Sequence, residues 1–128
     1  MRNLNIMKQR YIFENTEELI NKIVNYSTIA RKEGVLETQE LQAKEKNPFL
    51  AHIMLMIINN IHIDDIRKNN RIFIKYYKKD IDSTKTIIRQ MKMILDAMLG
   101  IANNDAPLRI AELCYCYYPA EKILPTSL

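Results

Sequence analysis

At 128 residues the chain has room for one domain and not for two comfortable ones. A domain of that size buries roughly two-thirds of its unfolded surface, so folding requires neither a metal nor a disulfide. Hydrophobic residues make up 48% and charged residues 27%, which places the chain among ordinary globular proteins and away from disordered or fibrous ones. The net charge of +4 is unevenly spread: Arg67 to Lys79 holds six basic residues and no acidic one.

The first predicted element is "ENTEELINKIVNYSTIARKEG". Asn15 can cap it, Glu18 stands three residues on, and Glu17 and Glu18 suit the positive end of a helix dipole. Leu19, Ile20, Ile23, Val24, Ile29 and Ala30 give an apolar face, interrupted late by Ser27 and Thr28. Gly34 stands where a helix ends in the left-handed conformation. "VLETQELQAKEK" then predicts a short second helix with Val35, Leu36 and Leu41 inward. Asn47-Pro48 restarts the chain, asparagine as cap and proline at the first helical position. The run from Phe49 to Ile58 is apolar almost all round and is expected at the centre of the core, Met56 included.

A turn at Asn59-Asn60 leads to a fourth helix, Ile63 to Lys79, with Ile66, Phe73 and Tyr77 on one stripe. Asp82 or Ser83 caps a fifth, in which Ile87, Met91, Ile94, Leu95, Met98 and Ala102 keep helical spacing. Pro107 opens a short sixth helix that runs to about Tyr117, before Pro119. No stretch alternates like a strand. The expectation is therefore all-α: a single helical domain over residues 1–128, a compact bundle of five to six helices.

The start "MRNLNIMKQRY" lacks an apolar core of signal-peptide length. "FLAHIMLMIINNIHI" is broken by His52, Asn59, Asn60 and His62, and is shorter than the ~20 residues that span a bilayer, so a soluble chain is expected. Cys114 and Cys116 would project about 200° apart on a helix, a poor geometry for pairing. They read as small buried hydrophobes in a reducing cytoplasm.

Catalytic signatures are missing. His52 and His62 share no helix face, and His52 has no metal-compatible neighbour one turn away. Gly34 and Gly100 stand alone, so there is no glycine-rich phosphate loop. Asp64-Asp65 fits the first turn of a helix better than an acid/base pair. The sequence predicts no enzyme, no metal and no cofactor. The methionines fall at core spacing rather than in a binding groove.

Two segments carry a resemblance. Ala30-Arg31-Lys32-Glu33-Gly34, Asn47-Pro48-Phe49-Leu50 and Asp64-Asp65-Ile66-Arg67 occur in the order of an A-R-x-E-G-type helix end, a D/N-P-F-L run and a D-P-E-x-I-R-like helix start. Gly100-Ile101-Ala102, Pro107 and Tyr118-Pro119 follow a G-I…P pattern that closes in a short helix and a proline. Together they resemble the cytoplasmic parts of MotA, the ion-channel subunit of the bacterial flagellar stator (MotA/TolQ/ExbB family). Residues 1–79 correspond to the cytoplasmic loop and 83–122 to the segment after the last membrane helix, with a junction near 80–82.

The resemblance implies a torque-transmitting domain at the cytoplasmic face of the inner membrane, with all four membrane helices missing. An excised and rejoined domain and a naturally membrane-free relative both fit. It further implies MotB as partner and a pentamer in the full stator, assembled through the membrane helices. The basic run Arg67–Lys79 would lie near the membrane face, where positive charge sets orientation. Family members engage the rotor switch protein FliG through an arginine and an acidic residue eight positions downstream. The arginine matches Arg31, but the acidic position is Gln39, flanked by Glu37 and Glu40. The implied rotor-binding set is Arg31, Lys32, Glu33, Glu37, Gln39 and Glu40. Asn60 and Ile53 also replace glycines usual in the family. Two alternatives stand beside this reading. One is a basic helical nucleic-acid binder using Arg67, Lys68, Arg71, Lys75, Lys78 and Lys79; the stator reading expects no nucleic acid. The other is the cytoplasmic part of a TolQ/ExbB-type energy-transducing subunit.

Overall fold

Asn15 caps the first helix as its sequence predicts, its side chain accepting from the Glu18 backbone N–H at 3.0 Å. The computed structural model describes residues 11, 13–79 and 84–118. Among them are six α-helices, a short 3-10 turn and no strand: α1 (Thr16–Glu33), the 3-10 turn (Val35–Thr38), α2 (Gln39–Lys44), α3 (Pro48–Ile58), α4 (Ile63–Lys78), α5 (Lys85–Ala102) and α6 (Pro107–Cys116). The fold is an all-α bundle.

Helix α5 is the centre of it, and packs on α1, α3, α4 and α6. Met91, Met93, Ile94, Ala97 and Met98 are completely buried along it. The Phe49–Ile58 run was expected in that central role and holds it only in part. Phe49, Leu50, Ile53, Met54, Ile57 and Ile58 are buried, but Leu55 faces solvent and Met56 is half-buried. A helix at the rim of a bundle keeps one face wet even when its sequence is apolar all round. Helices α4 and α5 run antiparallel, since Lys78 borders the same cleft as Thr84 and Lys85, while Arg71 and Ile74 border Leu95 and Asp96. The expected junction near 80–82, and Asp82 and Ser83 as caps, lie outside the described residues. Thr84 caps α5, accepting from the Ile87 N–H at 3.2 Å.

Two helix ends share one device. After α3, Asn60 takes a left-handed φ of 58°, and the Ile61 and Asn60 N–H groups return to the carbonyls of Met56 and Ile57. After α5, Asn104 takes a φ of 62°, and Asp105 and Asn104 return to Gly100 and Ile101. Both are Schellman turns in which asparagine replaces the usual glycine, because its short polar side chain tolerates the left-handed region. At Gly100 a Cβ would lie 2.7 Å from Ile110 Cδ1, so the missing side chain lets α6 approach α5.

Other expectations change. Gly34 has the predicted positive φ of 98°, but a ψ of 155° places it outside the left-handed helical region, in a conformation that side chains exclude. "VLETQELQAKEK" divides into a 3-10 turn and a short helix, which rotates Leu36 outward to 63% exposure. The residue turned inward is Thr38, fully buried. Ala102 is exposed. Cys114 is buried, and burial pushes its thiol up to about 12, but Cys116 is exposed rather than buried.

Candidate functional site

The six residues of the implied rotor-binding set lie along one corner of the chain, and all six are exposed. Arg31, Lys32 and Glu33 form the last turn of α1; Glu37 is in the 3-10 turn; Gln39 and Glu40 open α2. Arg31 and Lys32 complement the negative end of the α1 dipole, worth a few tenths of a kcal/mol up to about 1. Among the described residues these side chains form no ion pair with one another, so their charges are presented to solvent.

The corner is mounted on buried polar groups. Thr38 Oγ1 lies 3.2 Å from Tyr26 Oη and also bonds the Val35 carbonyl, so the 3-10 turn is fastened to α1 from below. Burial raises the Tyr26 hydroxyl pKa, with the Thr38 bond pulling the other way. On the far side of α2, Lys22 reaches Glu14 at 2.7 Å and Glu45 at 2.9 Å, and Glu45 also accepts from the Asn47 N–H at 3.0 Å. Asn47 in turn donates to Glu14 at 2.6 Å while capping α3. This network holds both ends of the α2 segment against α1. Beneath it lies a cavity of about 160 Å³ walled by Ile23, Tyr26, Leu41, Leu50, Met54 and Met98.

Arg31 has a second attachment. Its Nη1 donates to the Asn104 carbonyl at 3.1 Å, joining the end of α1 to the turn after α5. The residue is exposed, yet one of its donors is already committed to the scaffold, which fixes where the remaining guanidinium donors point.

A second charged region lies on α4 and α5. Sequence order predicts a basic run on α4 alone. The fold adds Lys85, Arg89 and Lys92 from α5, which face Arg71, Lys75 and Lys78 across a groove. Arg67 is drawn off by Asp64 at 2.7 Å. Arg89 also stacks over the Tyr118 ring, 5.3 Å from its centroid.

Several residues that matter most to this arrangement are polar, and hydrophobic periodicity passes over them. Gln90 is fully buried, accepts from the Tyr11 hydroxyl at 2.9 Å and the Glu14 N–H at 3.3 Å, and donates to the Glu14 carbonyl at 2.6 Å. Tyr11 N–H in turn donates to Tyr77 Oη at 2.8 Å. The sequence does hold a signal: Gln90 falls on the same helical stripe as Ile87, Ile94 and Ala97. His62 caps α4 by accepting from the Asp64 N–H at 3.1 Å, with the Asp64 carboxylate 3.7 Å away. Among the described residues no three His, Cys, Asp or Glu side chains gather where a metal could sit, and no helix is long and apolar enough to cross a membrane.

Comparison with known proteins returns no matching family model, no matching curated protein and no matching solved structure.

Proposed function

We propose that the chain is a stator-type, MotA-like cytoplasmic domain, a binding module rather than an enzyme, that engages the rotor switch protein FliG through the α1–α2 corner. The observation that supports this reading is the corner itself: six exposed polar and charged residues on a turn whose underside is anchored by Tyr26, Thr38 and the Lys22 network. Exposed ion pairs are individually worth about 0–1 kcal/mol, so a face of this kind gives selectivity and fast association rather than tight binding. That suits a contact made and broken repeatedly under load.

Arg31 supplies the main positive contact, held in place by the Asn104 carbonyl. The neutral Gln39 weakens the acidic half, which falls to Glu37 and Glu40. The test is binding of the intact chain to purified FliG at low and physiological salt. Arg31→Glu is expected to lower affinity at least tenfold and Gln39→Glu to raise it, with unchanged circular dichroism in both. Absence of binding by the unmodified chain, or indifference of binding to Arg31→Glu, defeats the proposal.

A further inference from the structure

The groove between α4 and α5 is lined by cations at matching helical intervals. On α4 they are Arg71, Lys75 and Lys78; on α5, Lys85, Arg89 and Lys92. Each set follows an i, i+4, i+7 pattern, so each projects from one helix face with successive charges about 6 and 4.5 Å apart along the axis. Because the helices are antiparallel, the two rows face one another as rails. The groove consists of two adjoining clefts of about 510 and 370 Å³ that share Lys78, Lys92 and Tyr117. All six cations are exposed.

Six cations lining one groove concentrate positive potential there, which attracts anions. Among the described residues Asp96 is the only acid in the lining, and its carboxylate already accepts from the Tyr117 hydroxyl, while Lys78 and Arg89 have further partners of their own. Burial and that bond both raise the Tyr117 pKa, so the phenol stays protonated as the donor. Asp96 therefore serves to fix Tyr117 at the floor as well as to offset part of the charge.

The groove has a shape as well as a sign. Cations on both walls converge on an object that enters lengthwise, which a flat lipid surface does not do. Among the described residues its one lining aromatic is Tyr117, tied by its hydroxyl, so they supply no run of free rings on which nucleic-acid bases stack. We infer that the α4–α5 groove binds a linear chain of phosphates without bases, of the inorganic polyphosphate type, laid between the two cation rails. The inference rests on these two helices alone and is independent of the rotor-binding corner.

The experiment is titration of the full chain with short-chain linear polyphosphate at several salt concentrations. Binding is expected, with affinity falling linearly in log–log form as salt rises. Lys75→Gln and Lys85→Gln should each reduce that slope by about one. The pair Lys75→Glu/Lys85→Glu should abolish binding, while the charge-matched pair Lys44→Glu/Lys46→Glu, on the exposed surface of the α2–α3 segment, should retain it. Equal loss in both pairs would mean attraction to net charge only and would overturn the site. No binding to polyphosphate overturns it too, as does tighter binding of an oligothymidylate strand or of phosphatidylglycerol vesicles. Should either Glu pair misfold, the Gln variants still decide, because they leave the helix surface neutral and intact.

Discussion

The corner between α1 and α2 mixes both signs within ten consecutive residues, whereas the groove between α4 and α5 gathers six cations from two helices beside one acid, Asp96. The corner's charges come from one segment, and its support is mostly hydrogen bonds to the helix just before it, with one bond from Arg31 to the Asn104 carbonyl in the turn after α5. The groove exists only because two helices pack side by side. The corner presents charges of both signs to solvent, while the groove presents cations from two packed helices. What the two regions share is α5, which touches both α1 and α4.

The largest effect should therefore come from α5. Ile94 is completely buried, and Ile94→Asp would place an unpaired carboxylate where no partner or water can reach it. Loss of more than about 4 kcal/mol is expected, enough to abolish the cooperative melt, the corner and the groove together. The same substitution at Met56, half-buried at the rim of α3, should cost clearly less. Equal damage at both positions, read by circular dichroism, would remove α5 from the centre of the fold.

Gln90→Leu comes next and should separate the two regions. It strands the Glu14 N–H and carbonyl and the Tyr11 hydroxyl, groups now satisfied inside the protein. A cost of about 2–4 kcal/mol follows from two or more unpaired buried groups. Tyr11 also bonds Tyr77 on α4, so hydrogen exchange should rise first in α4 and at the start of α5, ahead of the Tyr26–Thr38 region. Uniform exchange across the chain would show that Gln90 does not act on the groove side in particular.

Alkaline pH should act on both regions at once. Burial pushes the Cys114 thiol up to about 12 and raises the hydroxyls of Tyr11 and Tyr117. For Lys22 burial acts downward, but its hydrogen bonds to Glu14 and Glu45 outweigh it and the net shift is upward. Every one of these groups holds its proton more tightly folded than unfolded. Their contribution is intact below the unfolded values, about 8.5 for Cys, 10 for Tyr and 10.4 for Lys, and is lost as pH rises from there through the higher folded values. Thermal melts should show a Tm that declines steadily from about pH 9 upward. A flat profile to pH 11 would contradict the buried network.

Most of the fold was legible in the sequence because caps and apolar stripes are local signals. Asn15, Asn47-Pro48 and Pro107 mark helix starts that the structure keeps. The six corner residues were legible as an exposed charged segment, because a helix end beside glycine has few ways to be buried. Thr38, Gln90 and Tyr11 were not, since a polar residue earns an interior place only through partners supplied by distant segments. The groove was half-visible for the same reason: the α4 row stands out in sequence, but its opposite wall depends on how α5 packs. Leu36 was misplaced by assuming α-helical spacing where the chain makes a tighter turn.

The smallest predicted effect concerns that turn and tests whether the corner is as local as the comparison holds. Leu36 is an exposed hydrophobe with nothing to lose on truncation, so Leu36→Ser should change stability by no more than about 0.5 kcal/mol. Two positions on, Thr38→Val keeps the shape but removes the hydroxyl that bonds Tyr26 and the Val35 carbonyl. That loss should cost about 1–2 kcal/mol. If support is local, Thr38→Val should also weaken the proposed FliG binding while leaving polyphosphate titration unchanged, and Leu36→Ser should leave the polyphosphate titration unchanged too. A Leu36→Ser penalty as large as that of Thr38→Val would mean that the turn winds as a regular helix with Leu36 inward. A drop in polyphosphate affinity on Thr38→Val would instead show that the corner and the groove are coupled through α5, and the two regions would have to be treated as one surface.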